Sequence, residues 1–272
     1  MSARYDCTDA AQRVTGLAEA TASLRKGDLA VIPTDTVYGL AADAFSPPAV
    51  TGLLAAKGRD RQMPPPVLVG TVRAATALVE DLSAFGKDLM DEFWPGGLTL
   101  VMRANRNLIW DLGDTKGTVA VRMPLHELAL ELLKETGPLA VSSANRSGSP
   151  PATTAADAEA QLGDAVAVYL DGGPCSGDVA STIVDLTGVV PKLLRRGVIS
   201  VARLREVVIL AVDDEWLEDE AAVAADGMAA AGTAASDGTA SDGTAPDDGP
   251  ADGAESDSTP ADGTPGNGAA AG

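Results

Sequence analysis

Four hydrogen-bonding side chains crowd into five positions, at Thr34, Asp35, Thr36 and Tyr38, directly behind the apolar run Leu29 to Ile32. Pro33 lacks a backbone donor, so strand pairing should stop there. Gly39 lets the backbone pass close to a ligand or take a positive φ. Hydroxyls and a carboxylate opening from a strand end suit ligand binding, because sites in open α/β sheets gather at such ends. An ordinary polar turn, with Thr and Asp bonding their own backbone, fits the same residues.

Five more clusters share this character. K-G-R at Lys57 to Arg59, with Arg61 close behind, follows a predicted helix. Cations there either offset the helix dipole or clamp phosphate, Lys as a point charge and Arg as a fork. T-V-A-V-R-M-P, Thr118 to Pro124, ends an apolar strand in Arg122, which suits a carboxylate or plain solvation. S-S-A-N-R-S-G, Ser142 to Gly148, reads as a nest for oxyanions or as a strand-to-loop turn. S-T-I-V-D, Ser181 to Asp185, and L-L-R-R-G, Leu193 to Gly197, complete the set. Cations and neutral donors without a proton-transferring histidine suit a polyphosphate aligned for displacement. The single histidine, His126, has no triad partners nearby. No P-loop, dinucleotide fingerprint, H-E-x-x-H or Cys/His cluster occurs.

The elements that must position these clusters alternate. Helices are predicted from Thr8 or Asp9 to Lys26, from Pro47 to Lys57, from Val72 to Glu80, from Ser83 to Phe93, from Pro124 to Glu135, from Thr154 to Leu162 and from Val201 to Val208. Strands are predicted at Leu29 to Ile32, Pro66 to Gly70, Leu98 to Arg103, Thr118 to Arg122, Leu139 to Ser142, Val166 to Leu170, Ser181 to Leu186 and Lys192 to Arg195. Seven or eight strands, with several in succession late in the chain, point to an α/β protein with a mixed sheet.

Charge divides the 272 residues unevenly. There are 39 acidic and 20 basic side chains, a net charge of −19. Of the acidic ones 15 lie between Ala211 and Gly272, where no Lys or Arg occurs. That stretch is also rich in Ala, Gly, Ser, Thr and Pro, so disorder is expected from about Asp219 onward. The expected organisation is a folded body over residues 1–210 and an acidic low-complexity tail over 211–272. Two cysteines, Cys7 and Cys175, make no disulfide framework, and no run reaches the ~20 apolar residues of a membrane span. A start without an apolar core predicts no export, and a cytoplasmic location is expected.

P-T-D-T-V-Y-G-L, K-G-R, F-W-P-G-G-L-T-L, V-A-V-R-M-P, S-A-N-R-S-G and S-T-I-V-D followed by L-L-R-R-G appear in an order and at spacings that resemble the threonylcarbamoyl-AMP synthases, the YrdC-like family. The resemblance runs from about Leu17 to Leu204. It implies a single twisted mixed-sheet α/β domain with flanking helices and a basic cavity. It implies the conversion of L-threonine, bicarbonate and ATP, with Mg²⁺, to threonylcarbamoyl-AMP and pyrophosphate, for t6A modification of adenosine 37 in tRNA. It implies that Thr36, Arg122, Val141 and Ser181 serve threonine, and that Lys57, Arg59, Met63, Thr118, Ser143, Asn145 and Arg195 serve ATP. It assigns no general base. A hand-off to a threonylcarbamoyl-transferase complex and a weak tRNA contact are further expectations, with no membrane partner.

The chain departs from the family pattern at Asp60, where Pro is usual, at Met63, where Asn is common, at Leu68, where some members carry His, and at Arg196, where many carry Pro. Longer members continue into a second domain, and the acidic tail is expected to stand in its place. Two other classes remain at this point. One is a carbamoyl-adenylate-forming unit of hydrogenase maturation, whose chains are longer and Cys-rich. The other is a non-catalytic RNA-binding module, which a near-neutral body and an acidic tail disfavour.

Overall fold

The computed structural model describes residues 2–175, 177 and 179–213, all within the unit Met1–Glu220. The disorder expected for the acidic tail concerns residues outside those described.

Local signals set the helices. Asp9 accepts from the Gln12 amide at the start of α1 (Ala10–Lys26), and Gly27, at φ 91°, closes it. Ser46 and two prolines open α2 (Pro47–Lys57), which Gly58 ends in the left-handed region. Thr71, Ser83, Thr154 and Ser200 cap α3 (Val72–Leu78), α4 (Ala84–Phe93), α6 (Ala155–Leu162) and α7 (Val201–Arg205) in the same way. Each such cap contributes about 1 kcal/mol. The exception is α5 (Glu127–Thr136). It begins three residues later than expected and has His126 at its N-cap without a capping bond.

Among the described residues ten strands form one mixed sheet, two more than the eight that the pattern marks. They are β1 (Ala3–Asp6), β2 (Ala30–Ile32), β3 (Gly39–Asp43), β4 (Val67–Leu68), β5 (Leu98–Arg103), β6 (Thr118–Arg122), β7 (Leu139–Ser143), β8 (Val168–Asp171), β9 (Thr182–Asp185) and β10 (Lys192–Arg195). Their order is β1-β8-β2-β3-β7-β4-β6-β5-β9-β10. The additions are β1 and β3. The first is a short polar edge strand, A-R-Y-D, parallel to β8. The second, G-L-A-A-D, has only small side chains and one leucine, and lies antiparallel between β2 and β7. β3 carries none of the β-branched or aromatic residues that mark strands in a sequence, and β1 carries only Tyr5 between charged neighbours.

Period-2 alternation assigns each strand residue to a face. On one face Leu98, Leu100, Val119, Val121 and Val67 pack with Leu78, Leu89, Met90 and Leu204 of α3, α4 and α7. In the other half of the sheet, Val31, Leu40 and Tyr169 pack with Leu53 and Leu162 of α2 and α6. Ala30, Ile32, Ala41 and Val168 turn the opposite way, onto Leu24 and Leu132 of α1 and α5. The face opposite α3, α4 and α7 is therefore left for Thr99, Val101, Thr118, Ala120 and Arg122. These residues line a cavity of about 480 Å³.

Candidate active site

The cavity corrects one expectation. The polar clusters meet on a sheet face, through residues of β5, β6, β7 and β10, rather than only at strand ends. Thr34, Thr36 and Gly39 enter from the β2–β3 turn. Val141 and Ser143 come from β7, Thr118 and Arg122 from β6, Thr99 from β5, and Arg195 from β10. Ser181, just before β9, and Arg59, just after α2, add to the polar lining, with Tyr38, Thr115 and Ser142.

Arg122 is the most constrained of these. Only 6% of it is exposed. Its Nε donates to the Gly96 carbonyl at 2.9 Å, Nη1 to Thr36 Oγ1 at 2.9 Å and Nη2 to Asp35 Oδ1 at 2.6 Å. Asp35 Oδ1 also accepts from the Leu125 amide at 2.9 Å. Burial lowers the Arg122 pKa, and Asp35 opposes that shift. Three of the five guanidinium N–H groups are thus engaged by the protein, and two remain for a planar anion. Gly96 is placed for this by the W-P-G-G turn, in which the Trp94–Pro95 bond is cis.

Arg195 is held by Ser181. Its Nε and Nη2 donate to the Ser181 carbonyl at 3.0 and 2.8 Å, and Nη2 also reaches Ser181 Oγ at 2.9 Å. Ser181 Oγ is 2.8 Å from Thr99 Oγ1. Burial, then Arg122 and Arg59, lower the Arg195 pKa, so the three guanidiniums feel one another. Arg59 bridges Ser142 Oγ and Ser147 Oγ, both at 3.2 Å. Thr118 Oγ1 donates to the Thr115 carbonyl at 2.8 Å. Among the described residues no carboxylate, histidine or lysine lines the cavity, and no group of three His, Cys, Asp or Glu side chains could hold a metal.

Of the residues that the motifs single out, Thr36, Arg122, Val141, Ser181, Arg59, Thr118, Ser143 and Arg195 all line this cavity. Three do not. Lys57 is 1% exposed, with its ammonium turned onto backbone carbonyls behind the wall. Asn145 is 5% exposed; its Oδ1 accepts from Lys57 Nζ at 3.1 Å and its Nδ2 donates to the Ser149 carbonyl at 2.6 Å. Met63 lies 48% exposed on the surface. Within Ser142 to Gly148, which reads as an oxyanion nest or as a strand-to-loop turn, the amides of Ala144, Asn145, Arg146 and Ser147 donate to protein oxygens, as they would in a turn. Sequence reasoning passed over Thr99 as a lining residue, and it placed Ser142 in a polar cluster without assigning it to a substrate. A hydroxyl at the alternate position of the apolar strand L-T-L was the available signal for Thr99. His126 stands outside the cavity, its Nδ1 buried without a partner and its pKa lowered by burial. Both cysteines are free thiols.

A sequence model named Sua5_yciO_yrdC, described as telomere recombination, matches residues 22–197, which include every cavity residue named above. This chain belongs to the Sua5/YciO/YrdC family. A Mycobacterium tuberculosis (strain ATCC 25618 / H37Rv) relative is 52% identical over 213 residues, spanning 78% of this chain and 97% of its own. The Bacillus subtilis protein named threonylcarbamoyl-AMP synthase is 37% identical over 207 residues, spanning 75% of this chain and 60% of its own. Among solved family structures, Pyrococcus abyssi Sua5 complexed with L-threonine superposes with a TM-score of 0.70 at 34% identity, covering 72% of this chain and 58% of that one. Escherichia coli YciO, at 22% identity and a TM-score of 0.66, shares the fold. No helix of the described residues is long and apolar enough to cross a membrane.

Proposed function

We propose that this chain is a threonylcarbamoyl-AMP synthase. It joins L-threonine, bicarbonate and ATP into threonylcarbamoyl-AMP and pyrophosphate, a nucleotidyl transfer whose product feeds tRNA t6A modification. The observation that carries this reading is the cavity itself. Three mutually felt guanidiniums and several hydroxyls, without a carboxylate among the described residues, form a receptor for anions. The three substrates bring a carboxylate, a bicarbonate and a triphosphate. A family member solved with L-threonine supports the amino-acid half.

The two free N–H groups of Arg122 suit the threonine carboxylate as a fork, with Thr36 and Ser181 beside it. Arg59, Ser143, Thr118 and Arg195 suit the phosphates and the sugar. Threonine and bicarbonate condense to the carbamate, releasing water and one proton. A carbamate oxygen then attacks the α-phosphorus, and the bond to the leaving pyrophosphate breaks. Arginines fixed before binding stabilise the growing charge on pyrophosphate without reorganising. Mg²⁺ arrives with ATP as part of the substrate, because the cavity's described residues offer it hydroxyls only. The proton from the threonine ammonium leaves to water, since among the described residues no side chain of the cavity is suited to take it. The expected product requires a cytoplasmic threonylcarbamoyl-transferase to consume it.

Pyrophosphate release tests the reading. It should require threonine and bicarbonate together and fall sharply with serine. Release without amino acid, or only with carbamoyl phosphate, would sink it. The latter outcome would favour a carbamoyl-adenylate activity instead.

A further inference from the structure

Lys57 is one of the three motif residues outside the cavity lining, and the cation among them. It is the last residue of α2 and is 1% exposed. Its ammonium donates to the Ser143 carbonyl at close range, to the Asn145 carbonyl at 2.7 Å and to Asn145 Oδ1 at 3.1 Å. An ammonium has three N–H groups, and these acceptors use all three. None is left for a phosphate. The Lys57 carbonyl meanwhile takes the Ser147 amide at 2.9 Å.

The turn closes around this cation from several sides. Asn145 Nδ2 donates to the Arg146 carbonyl at 2.9 Å and to the Ser149 carbonyl at 2.6 Å. The Asn145 amide returns to the Ser143 carbonyl at 2.9 Å. Among the described residues no carboxylate pairs with Lys57. Its charge is met by carbonyl dipoles, and their orientation fixes where Ser143 can lie. Ser143 lines the cavity and Lys57 does not.

We infer that Lys57 is a positioning residue, which acts on the nucleotide through Ser143 by holding the turn that carries it, and makes no phosphate contact of its own. The inference rests on the reading of the cavity as a nucleotide site. Threonine would be bound by Arg122, Thr36 and Ser181, which other elements carry, so Lys57 should leave that half undisturbed. Glutamine at this position keeps two donors but loses the third and the charge.

The test is a double-mutant cycle on the full chain with Lys57→Gln, Ser143→Ala and the pair. ATP and threonine dissociation constants are measured by calorimetry. Lys57→Gln should weaken ATP at least tenfold and threonine less than twofold. Ser143→Ala should weaken ATP several-fold, and the pair should be no weaker than Lys57→Gln alone. Losses that multiply would mean that Lys57 meets the nucleotide directly, and equal losses for both substrates would mean a purely structural role. Either result overturns the inference. The wild-type protein supplies an independent measurement if Lys57→Gln does not fold. The lysine ¹⁵N signal of Lys57 should show slow proton exchange with and without ATP, and a coupling from it to ³¹P would overturn the inference. A wild-type protein that binds no ATP refutes the functional reading itself, before any variant is made.

Discussion

Replacing Asp35 by Asn should weaken the free protein and strengthen its hold on threonine. Asp35 and Arg122 form a buried pair at 2.6 Å, with side chains 15% and 7% exposed. Asn keeps a carbonyl oxygen for the Leu125 amide but removes the counter-charge of a guanidinium that is largely buried. Breaking such a pair from one side costs about 3 kcal/mol. For a folded body of this size that is a fall in Tm of about 6–12 °C. Threonine then brings the missing anion. A ligand carboxylate on the far edge of the guanidinium would sit about 6 Å from Asp35. Two negative charges at that separation repel by ~3 kcal/mol at an effective dielectric of 20. Removing the repulsion favours binding, while the looser guanidinium opposes it. If the two halves partly cancel, affinity rises about tenfold, or ~1.4 kcal/mol. Thermal shift against threonine concentration, with calorimetry for the dissociation constant, measures both effects. A variant whose Tm falls but whose threonine affinity is unchanged or lower would refute the placement of the carboxylate on Arg122.

Three further outcomes are expected. Arg122→Lys retains the charge but not the fork, so it should raise the threonine KM at least tenfold with ATP affinity little changed; steady-state kinetics on each substrate checks this. Gly197→Ala puts a Cβ within 2.3 Å of the Thr182 amide nitrogen and 2.4 Å of the Ala180 carbonyl, so the Ser181 segment must shift. A loss of about 3 kcal/mol in denaturant melts is expected, with ATP binding affected more than in other variants of equal stability. Burial and Arg59 bring the Lys57 pKa down to about 7, although its oxygen ligands favour the charged form. Below that pH both folded and unfolded chains carry the proton. Above it, up to the ordinary lysine range, the unfolded chain binds more protons, so stability should rise with pH. That rise, read as Tm between pH 6.5 and 9, should be smaller in Lys57→Gln.

What was legible in the sequence was local. The starts of six helices could be read because Ser, Thr or Asp and the following amides are neighbours in the chain, although α3 and α7 stop at Leu78 and Arg205, short of the Glu80 and Val208 expected. The motifs could be read because hydroxyls and cations at strand ends are conspicuous among apolar runs. What escaped depends on partners supplied from far away. The sequence G-L-A-A-D becomes β3 because β2 and β7 flank it, and its smallness is what the site requires: a Cβ on Gly39 would lie 2.6 Å from Val141 Cγ1. A lysine at a helix C-terminus is ordinarily solvated, and Lys57 is buried only because a turn 86 to 88 residues later folds over it.

The same long-range logic explains why the site lies on a face. α3, α4 and α7 are amphipathic elements placed on one side of β4, β6, β5 and β9, and among the described residues no helix covers the other side. Period-2 alternation then decides the chemistry. One set of side chains in L-T-L-V-M-R and T-V-A-V-R is aliphatic and buried against helices, while the interleaved set is Thr99, Val101, Thr118, Ala120 and Arg122. A one-residue slip of β6 against β5 would exchange the sets, burying Arg122 under α3 and turning Val121 to the substrates. The hydrophobic core therefore does more than stabilise this sheet: by fixing its register it selects which side chains face the ligands. The Asp35–Arg122 pair and the Gly96 carbonyl add a second constraint, since Arg122 can meet all three of its protein partners only in the native register.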